Sequence, residues 1–247
     1  MSSLVLPRVI GHRGVAAMAP ENTLAGFALA ARSAVGWIEL DVQLTADGVP
    51  VVFHDDRLER TTDGQGRLVE TSYVDLLRLD AGRWFGESFA GQRIPSLAEV
   101  LTLLVETGLG LCLEVKADEQ RGAQTAVEAI ACLRHIWPAT ASPPLLSSFA
   151  RSAVAVMADQ APDWQRGLLV EELPDDWHDV TRRLGCHSLH VDQCLLNEQQ
   201  AAAVKGEGLA LLAYTVNDRE RAETLWGWGV DALFSDCPEN LLGAPSL

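Results

Sequence analysis

Basic residues are scarce in this chain: 19 Lys and Arg face 34 Asp and Glu, for a formal net charge of −15. Without clustered cations it has nothing to offer a nucleic acid backbone or an anionic lipid surface, so neither nucleic acid nor stable membrane association is expected. Apolar runs long enough to span a bilayer are missing too, although 48% of the residues are hydrophobic and a sizeable core is within reach. The five cysteines, at 112, 132, 186, 194 and 237, include no CxxC pair and no zinc-ligand spacing. Their odd number argues against a closed disulfide framework, and reduced, mostly buried thiols are expected. Met1 to Pro7 lacks the basic start, apolar stretch and small-residue cleavage site of a secretory leader, so the chain reads as cytoplasmic. No Gly- or Ser-rich linker, sequence repeat or low-complexity tract divides the 247 residues, and one domain spanning 1–247 is expected. Oligomeric state leaves no trace in the sequence.

What is present is an alternation. Short apolar runs occur at 8–11, 37–42, 49–54, 109–116, 144–148, 167–170, 188–191, 209–216 and 232–235, most of them continuous, as suits strands buried on both faces of a parallel sheet. Helical patterns lie between them. After Pro20-Glu21-Asn22-Thr23, residues Leu24, Phe27, Ala28 and Ala31 fall on one face, and Ser96 with Glu99 has capping-box spacing ahead of Leu97, Val100, Leu101 and Leu104. Eight such units in this length predict a (β/α)8 TIM barrel, with an open doubly wound sheet as the alternative. Against the open sheet stands Gly11-His12-Arg13-Gly14, which is too short and too charged for a dinucleotide turn. The stretch at about 56–94 is long for one connection and reads as a small insertion after the second strand region, partly covering the barrel mouth.

Seven chemically active side chains recur where these apolar runs end: His12, Arg13, Glu39, Asp41, His54, Glu114 and Lys116. In a barrel the strand ends converge on one face, so residues distant in sequence can meet there. Glu39 and Asp41, two apart, leave a strand on the same side, and Glu114 with Lys116 repeats the spacing. Charged carboxylates inside apolar strands are costly without a partner, and three of them with no Cys or paired-His ligand set predict a hard divalent ion, Mg2+ or Ca2+. His12 and His54 suit a general acid and base on either side of a phosphate, the assignment of base and acid staying open. Arg13 and Lys116 offer cations to phosphoryl oxygens, or serve as structural partners of the acids. His135, His178, His187 and His190 have no acidic strand-end partner and read as core or surface residues, while Trp84 and Phe85 are the aromatic candidates for a substrate contact.

The ordered series His12-Arg13-Gly14, Pro20-Glu21-Asn22-Thr23, Glu39-Leu40-Asp41, Val51-Val52-Phe53-His54-Asp55, Ile94-Pro95-Ser96-Leu97, Glu114-Val115-Lys116, Thr215-Val216-Asn217, Gly229-Val230-Asp231 and Ser235-Asp236-Cys237-Pro238 resembles the glycerophosphodiester phosphodiesterases over residues 8 to about 240. The resemblance implies a barrel with an insertion beginning near Asp56. It also implies hydrolysis of glycerophosphodiesters, the deacylated phospholipid headgroups, to sn-glycerol 3-phosphate and an alcohol. By the same resemblance Glu39, Asp41 and Glu114 hold Mg2+ or Ca2+, His12 and His54 are acid and base, and Arg13 and Lys116 contact the phosphate. Two positions depart from the family pattern: Ser235 stands where Thr is usual, and Tyr214 where an aromatic, often Trp, precedes Thr-Val-Asn. A lyase that stops at a cyclic phosphate and a non-catalytic binder of the same diesters are the alternative functions.

Overall fold

The computed structural model describes residues 6–242, so the leader reading of Met1 to Pro7 falls, for residues 1–5, outside the described residues. Eight parallel strands close a barrel: β1 (Val9–Gly11), β2 (Trp37–Leu44), β4 (Gly110–Val115), β5 (Leu145–Ser148), β6 (Gln165–Val170), β7 (Ser188–Asp192), β8 (Ala210–Tyr214) and β9 (Ala232–Ser235), in the order β1-β9-β8-β7-β6-β5-β4-β2 with β1 returning to β2. The remaining strand, β3 (Pro50–Val52), corrects the sequence reading: it runs antiparallel to β2, pairing Val42 with Val52 and Leu44 with Pro50, and is a hairpin arm outside the barrel. A three-residue apolar stretch looks the same from sequence in either role, because its periodicity is too short to report direction.

Helices α1 (Leu24–Ala30), α3 (Leu97–Thr107), α4 (Gly122–Ile136), α5 (Arg151–Gln160), α6 (Trp177–Leu184), α7 (Glu198–Gly206), α8 (Arg219–Gly227) and α9 (Pro238–Leu242) follow the staves. Their starts are legible in side chains. Thr23 caps α1 by accepting from the Gly26 N–H, and Ser96 and Glu99 form the expected reciprocal capping box on α3. α3 then buries Leu97, Val100, Leu101 and Leu104 against the sheet, each such side chain stabilising the fold by about 1.5–3 kcal/mol.

The core has two layers. One lies between the sheet and the helices; the other fills the barrel interior with Ile10, Cys112, Leu145, Leu212, Ala232 and Phe234. Since side chains alternate along a strand, the next inward position on β4 is Glu114, on β5 Ser147 and on β8 Tyr214, and beyond β1 it is His12. The interior therefore turns from apolar to polar toward the C-terminal ends of the staves.

Segment 56–94, between β3 and α3, contains a 3-10 turn at Leu68–Glu70 and the short helix α2 (Tyr73–Leu76). It gathers Leu58, Leu68, Leu76, Ala81 and Ile94 with Val51 and Phe53 into a hydrophobic cluster of its own. All five cysteines are free, but only Cys112 is buried; Cys194 is exposed and the others are intermediate, so the expectation of mostly buried thiols does not hold. Cys132 is on a helix and Cys186, Cys194 and Cys237 lie in loops, where burial is incomplete. Among the described residues no helix is long and apolar enough to cross a membrane.

Candidate active site

β2 and β4 are neighbours in a register that sets Asp41 opposite Glu114. With Glu39 two residues earlier on the same face, three carboxylates crowd together, each offering an oxygen within 4.8 Å of the others. All three are buried. The turn after β1 completes the group. Arg13 adopts a left-handed backbone with φ 49, and its N–H donates to Glu39 Oε2 at 3.0 Å. Its guanidinium donates through Nη1 to Glu21 Oε1 at 2.8 Å, while Nε lies 3.5 Å from Asp41 Oδ2 and makes no hydrogen bond. Asn22, also left-handed at φ 56, donates through Nδ2 to Asp41 Oδ2 at 2.8 Å. Gly11 is required for this turn, because a Cβ there would collide with the carbonyl of Gly14. Non-glycine residues held at positive φ store about 1–3 kcal/mol of strain and occur where the surroundings fix them.

The three acids do not titrate alike. Burial, then the neighbouring Asp41 and Glu114 charges, push the Glu39 carboxyl well above the usual carboxylate range. Burial and the charge of Asp41 lift Glu114 to about 7. Asp41 goes the other way: burial opposes its ionisation, yet Arg13, His54, Lys116 and the Asn22 hydrogen bond together hold it below the ordinary value. Glu114 Oε1 has no hydrogen bond, only Lys116 Nζ at 3.4 Å. A buried trio of carboxylates with an unbonded oxygen, and with two carboxyls pushed up by burial and by their neighbours' charge, has the composition of a hard-cation site, and a divalent ion fits it.

Both sequence-predicted histidines come to this place. His12 follows β1 and its Nδ1 lies 2.7 Å from Asp236 Oδ1, a residue that Asn217 steadies through Nδ2 to Asp236 Oδ2 at 2.8 Å. His54 does not end a barrel stave as expected; it comes just after β3, where the Phe53 N–H bonds to the Asp41 carbonyl at 2.9 Å and carries the hairpin back over the trio. Its Nδ1 lies 2.6 Å from Asp55 Oδ1. Burial lowers the pKa of His54, with Arg13 and Lys116 acting in the same sense and Asp41 opposing them. Asp55 is held at about 2, burial being outweighed by hydrogen bonds from Arg60 and His54. Arg60, from segment 56–94, joins Asp55 to Glu21 with bonds of 2.6 and 2.7 Å and so ties that segment to the β1–α1 turn.

His12, Arg13, Glu39, His54, Glu114 and Lys116 line one cavity of about 270 Å³, with Asp41 buried behind them. The sequence reading missed Asp55, Asp236, Asn22 and Arg60 as supports, although the first three stand within the quoted motifs. His190, read as a core or surface residue, is both buried and part of the cavity lining. Trp84 and Phe85 are absent from that lining; they stack edge to face on each other at 5.6 Å within segment 56–94.

A profile of the Glycerophosphoryl diester phosphodiesterase family matches residues 12–240. The chain belongs to this family. A glycerophosphodiester phosphodiesterase of Caldanaerobacter subterraneus subsp. tengcongensis is 34% identical over 95% of this chain and 96% of its own. A phosphodiesterase of Oleispira antarctica, solved in complex with the product sn-glycerol-3-phosphate, is 40% identical, superposes with a TM-score of 0.93 and is covered over 96% of each chain. A glycerophosphodiester phosphodiesterase of Agrobacterium tumefaciens matches at 26% identity and a TM-score of 0.77, over 96% of this chain and 99% of that one. As a member of the glycerophosphoryl diester phosphodiesterase family, the chain is an enzyme of the phosphoric diester hydrolase class.

Proposed function

We propose that the chain hydrolyses glycerophosphodiesters to sn-glycerol 3-phosphate and an alcohol, with a divalent cation, Mg2+ or Ca2+, held by Glu39, Asp41 and Glu114. The observation that carries this reading is the meeting of three buried carboxylates with two carboxylate-backed imidazoles in one cavity. Support also comes from the product, sn-glycerol-3-phosphate, held by the Oleispira antarctica relative. We read the chain as one catalytic unit with segment 56–94 as an insertion, acting on small molecules in the cytoplasm.

When bound, the cation supplies Lewis-acid polarisation of the phosphodiester and offsets charge that develops on its oxygens. The protein's own groups do the rest. Asp236 and Asp55 hold the Nδ1 atoms of His12 and His54, which leaves Nε2 of each ring to exchange a proton with substrate. One imidazole takes the proton of the attacking hydroxyl, of water or of the glycerol moiety, and the other gives a proton to the departing alcohol. Lys116 and Arg13 contribute positive charge to the phosphoryl oxygens in a protein that is otherwise strongly acidic. Arg13 has a second duty, since its Nη1 is already engaged by Glu21.

Turnover of glycerophosphocholine tests the reading: glycerol 3-phosphate should appear only with a divalent cation, and His12→Ala and His54→Ala should each abolish it. A pure binder would release nothing. If a cyclic phosphate accumulates as the end product, the lyase alternative replaces hydrolysis.

A further inference from the structure

The cavity has two chemically unlike halves. Its cations, Arg13 and Lys116, belong to the β1 turn and the β4 end, beside the acid trio and the two histidines. The other half is built by consecutive staves: Phe149 after β5, Leu169 and Glu171 at the end of β6, His190 and Asp192 on β7, and Tyr214 on β8. Sheet register brings the acidic members together, with Asp192 opposite Tyr214 and the Asp192 N–H bonded to the Glu171 carbonyl at 3.3 Å. Among the described residues neither carboxylate has a basic ion-pair partner; one Asp192 oxygen accepts from the Cys194 N–H at 2.8 Å. Beside them the rings of Phe149 and Tyr214 meet edge to face with centroids 6.1 Å apart, and Leu195, 47% exposed, extends the apolar rim.

Beneath this wall lies His190, fully buried. Its Nε2 is 2.9 Å from Ser188 Oγ, and its Nδ1 has no partner. An unpaired ring nitrogen in a buried residue that lines a cavity is unfavourable unless something entering the cavity bonds to it. With Glu171 and Asp192 it makes a polar wall of negative charge beside the Tyr214 ring; Lys116 Nζ already lies over the Phe149 ring, 5.6 Å from its centroid, and reaches neither carboxylate as an ion pair.

We propose that the β5–β8 side of the cavity is the subsite for the leaving alcohol and selects a cationic amino alcohol over a neutral polyol. The inference rests on the hydrolytic reading above and deepens it. A diester bound with its phosphate between Lys116 and Arg13 extends one arm past Phe149 to Tyr214, where an ammonium group gains both the field of Glu171 and Asp192 and an aromatic ring. An uncharged sugar alcohol or glycerol arm gains hydrogen bonds alone. Negative potential at that wall disfavours a leaving group that carries a further phosphate.

The test compares kcat/KM for glycerophosphocholine and glycerophosphoethanolamine with that for glycerophosphoglycerol, at saturating divalent cation. The wild-type enzyme is expected to favour the cationic substrates by about tenfold. In Glu171→Gln and Asp192→Asn, which keep size and hydrogen bonding, the preference should fall at least threefold in each and at least fivefold in the double variant, the change appearing in KM. Inhibition by choline, as a free probe, should weaken in parallel. Circular dichroism and melting confirm that each variant is folded, and the single exposed Glu171→Gln change carries the comparison if the double variant is not. A wild-type preference within twofold, or a ratio that the variants leave where it was, overturns the subsite while leaving hydrolysis intact. Absence of turnover with every diester overturns the catalytic reading and the subsite together.

Discussion

A carboxylate behind an imidazole decides which ring nitrogen carries a proton, and here His12 and His54 each have one, Asp236 at 2.7 Å and Asp55 at 2.6 Å. The proposed roles therefore predict that Asp236→Asn lowers kcat about 10²-fold while KM changes little, since the amide keeps the volume but not the proton preference; steady-state kinetics on glycerophosphocholine reads both parameters. Glu114 gives a second prediction with a readout independent of turnover. Its carboxyl is pushed up to about 7 by burial and by Asp41, so in metal-free protein the trio is mutually repulsive. Glu114→Gln should raise the melting temperature measured in EDTA and erase most of the stabilisation added by Mg2+ or Ca2+. For the wild type that stabilisation is about 2.7 kcal/mol at a hundredfold excess over Kd. These acids were legible in the sequence because a charge inside an apolar strand needs a reason. Asp236 was not assigned a role, since its partner His12 is 224 positions away and only the closing of β9 on β1 brings them together.

The staves and their helices were readable because each carries a local signature: continuous apolar runs for buried parallel strands, capping side chains for helix starts. The capping box on α3 makes this quantitative. Ser96→Ala should cost about 1 kcal/mol and lower the melting temperature by roughly 2–4 °C, without changing the affinity for metal. Gly11→Ala should behave differently: the Cβ collides with Gly14 in the turn that presents the Arg13 N–H to Glu39, so stability and metal affinity should fall together, by calorimetry and titration. What escaped the sequence reading at this scale was strand direction. β3 looked like another stave, and its antiparallel return is what delivers His54 to the trio from outside the barrel. The far wall of the cavity was equally silent, because Glu171 and Asp192 border polar loops and resemble ordinary solvent-facing acids until the register of β6, β7 and β8 aligns them.

Across the whole molecule, the interior grades from an apolar base through a neutral buried imidazole to a charged mouth, and this order couples stability to pH. Burial lowers the His190 pKa to about 3, below the ordinary 6.5. Between these values the unfolded chain binds the proton and the folded one does not, so the contribution of this group to stability is complete above about pH 6.5 and is lost as pH falls toward 3, by up to about 1.4 kcal/mol per pH unit. His190→Asn should flatten that limb in denaturant titrations run from pH 7 to pH 4.5. The acidic surface, at a net charge of −15, agrees with a small-molecule substrate drawn in by local cations and not by a global positive field. The account as a whole stands on cation-dependent chemistry at the Glu39, Asp41 and Glu114 trio. A phosphorus NMR time course of glycerophosphocholine, with enzyme stripped by EDTA and then given Mg2+ or Ca2+, tests it most directly. The diester resonance should persist until the cation is added and then give way to that of sn-glycerol 3-phosphate. Equal conversion in the stripped enzyme, or none in the reloaded one, would contradict it.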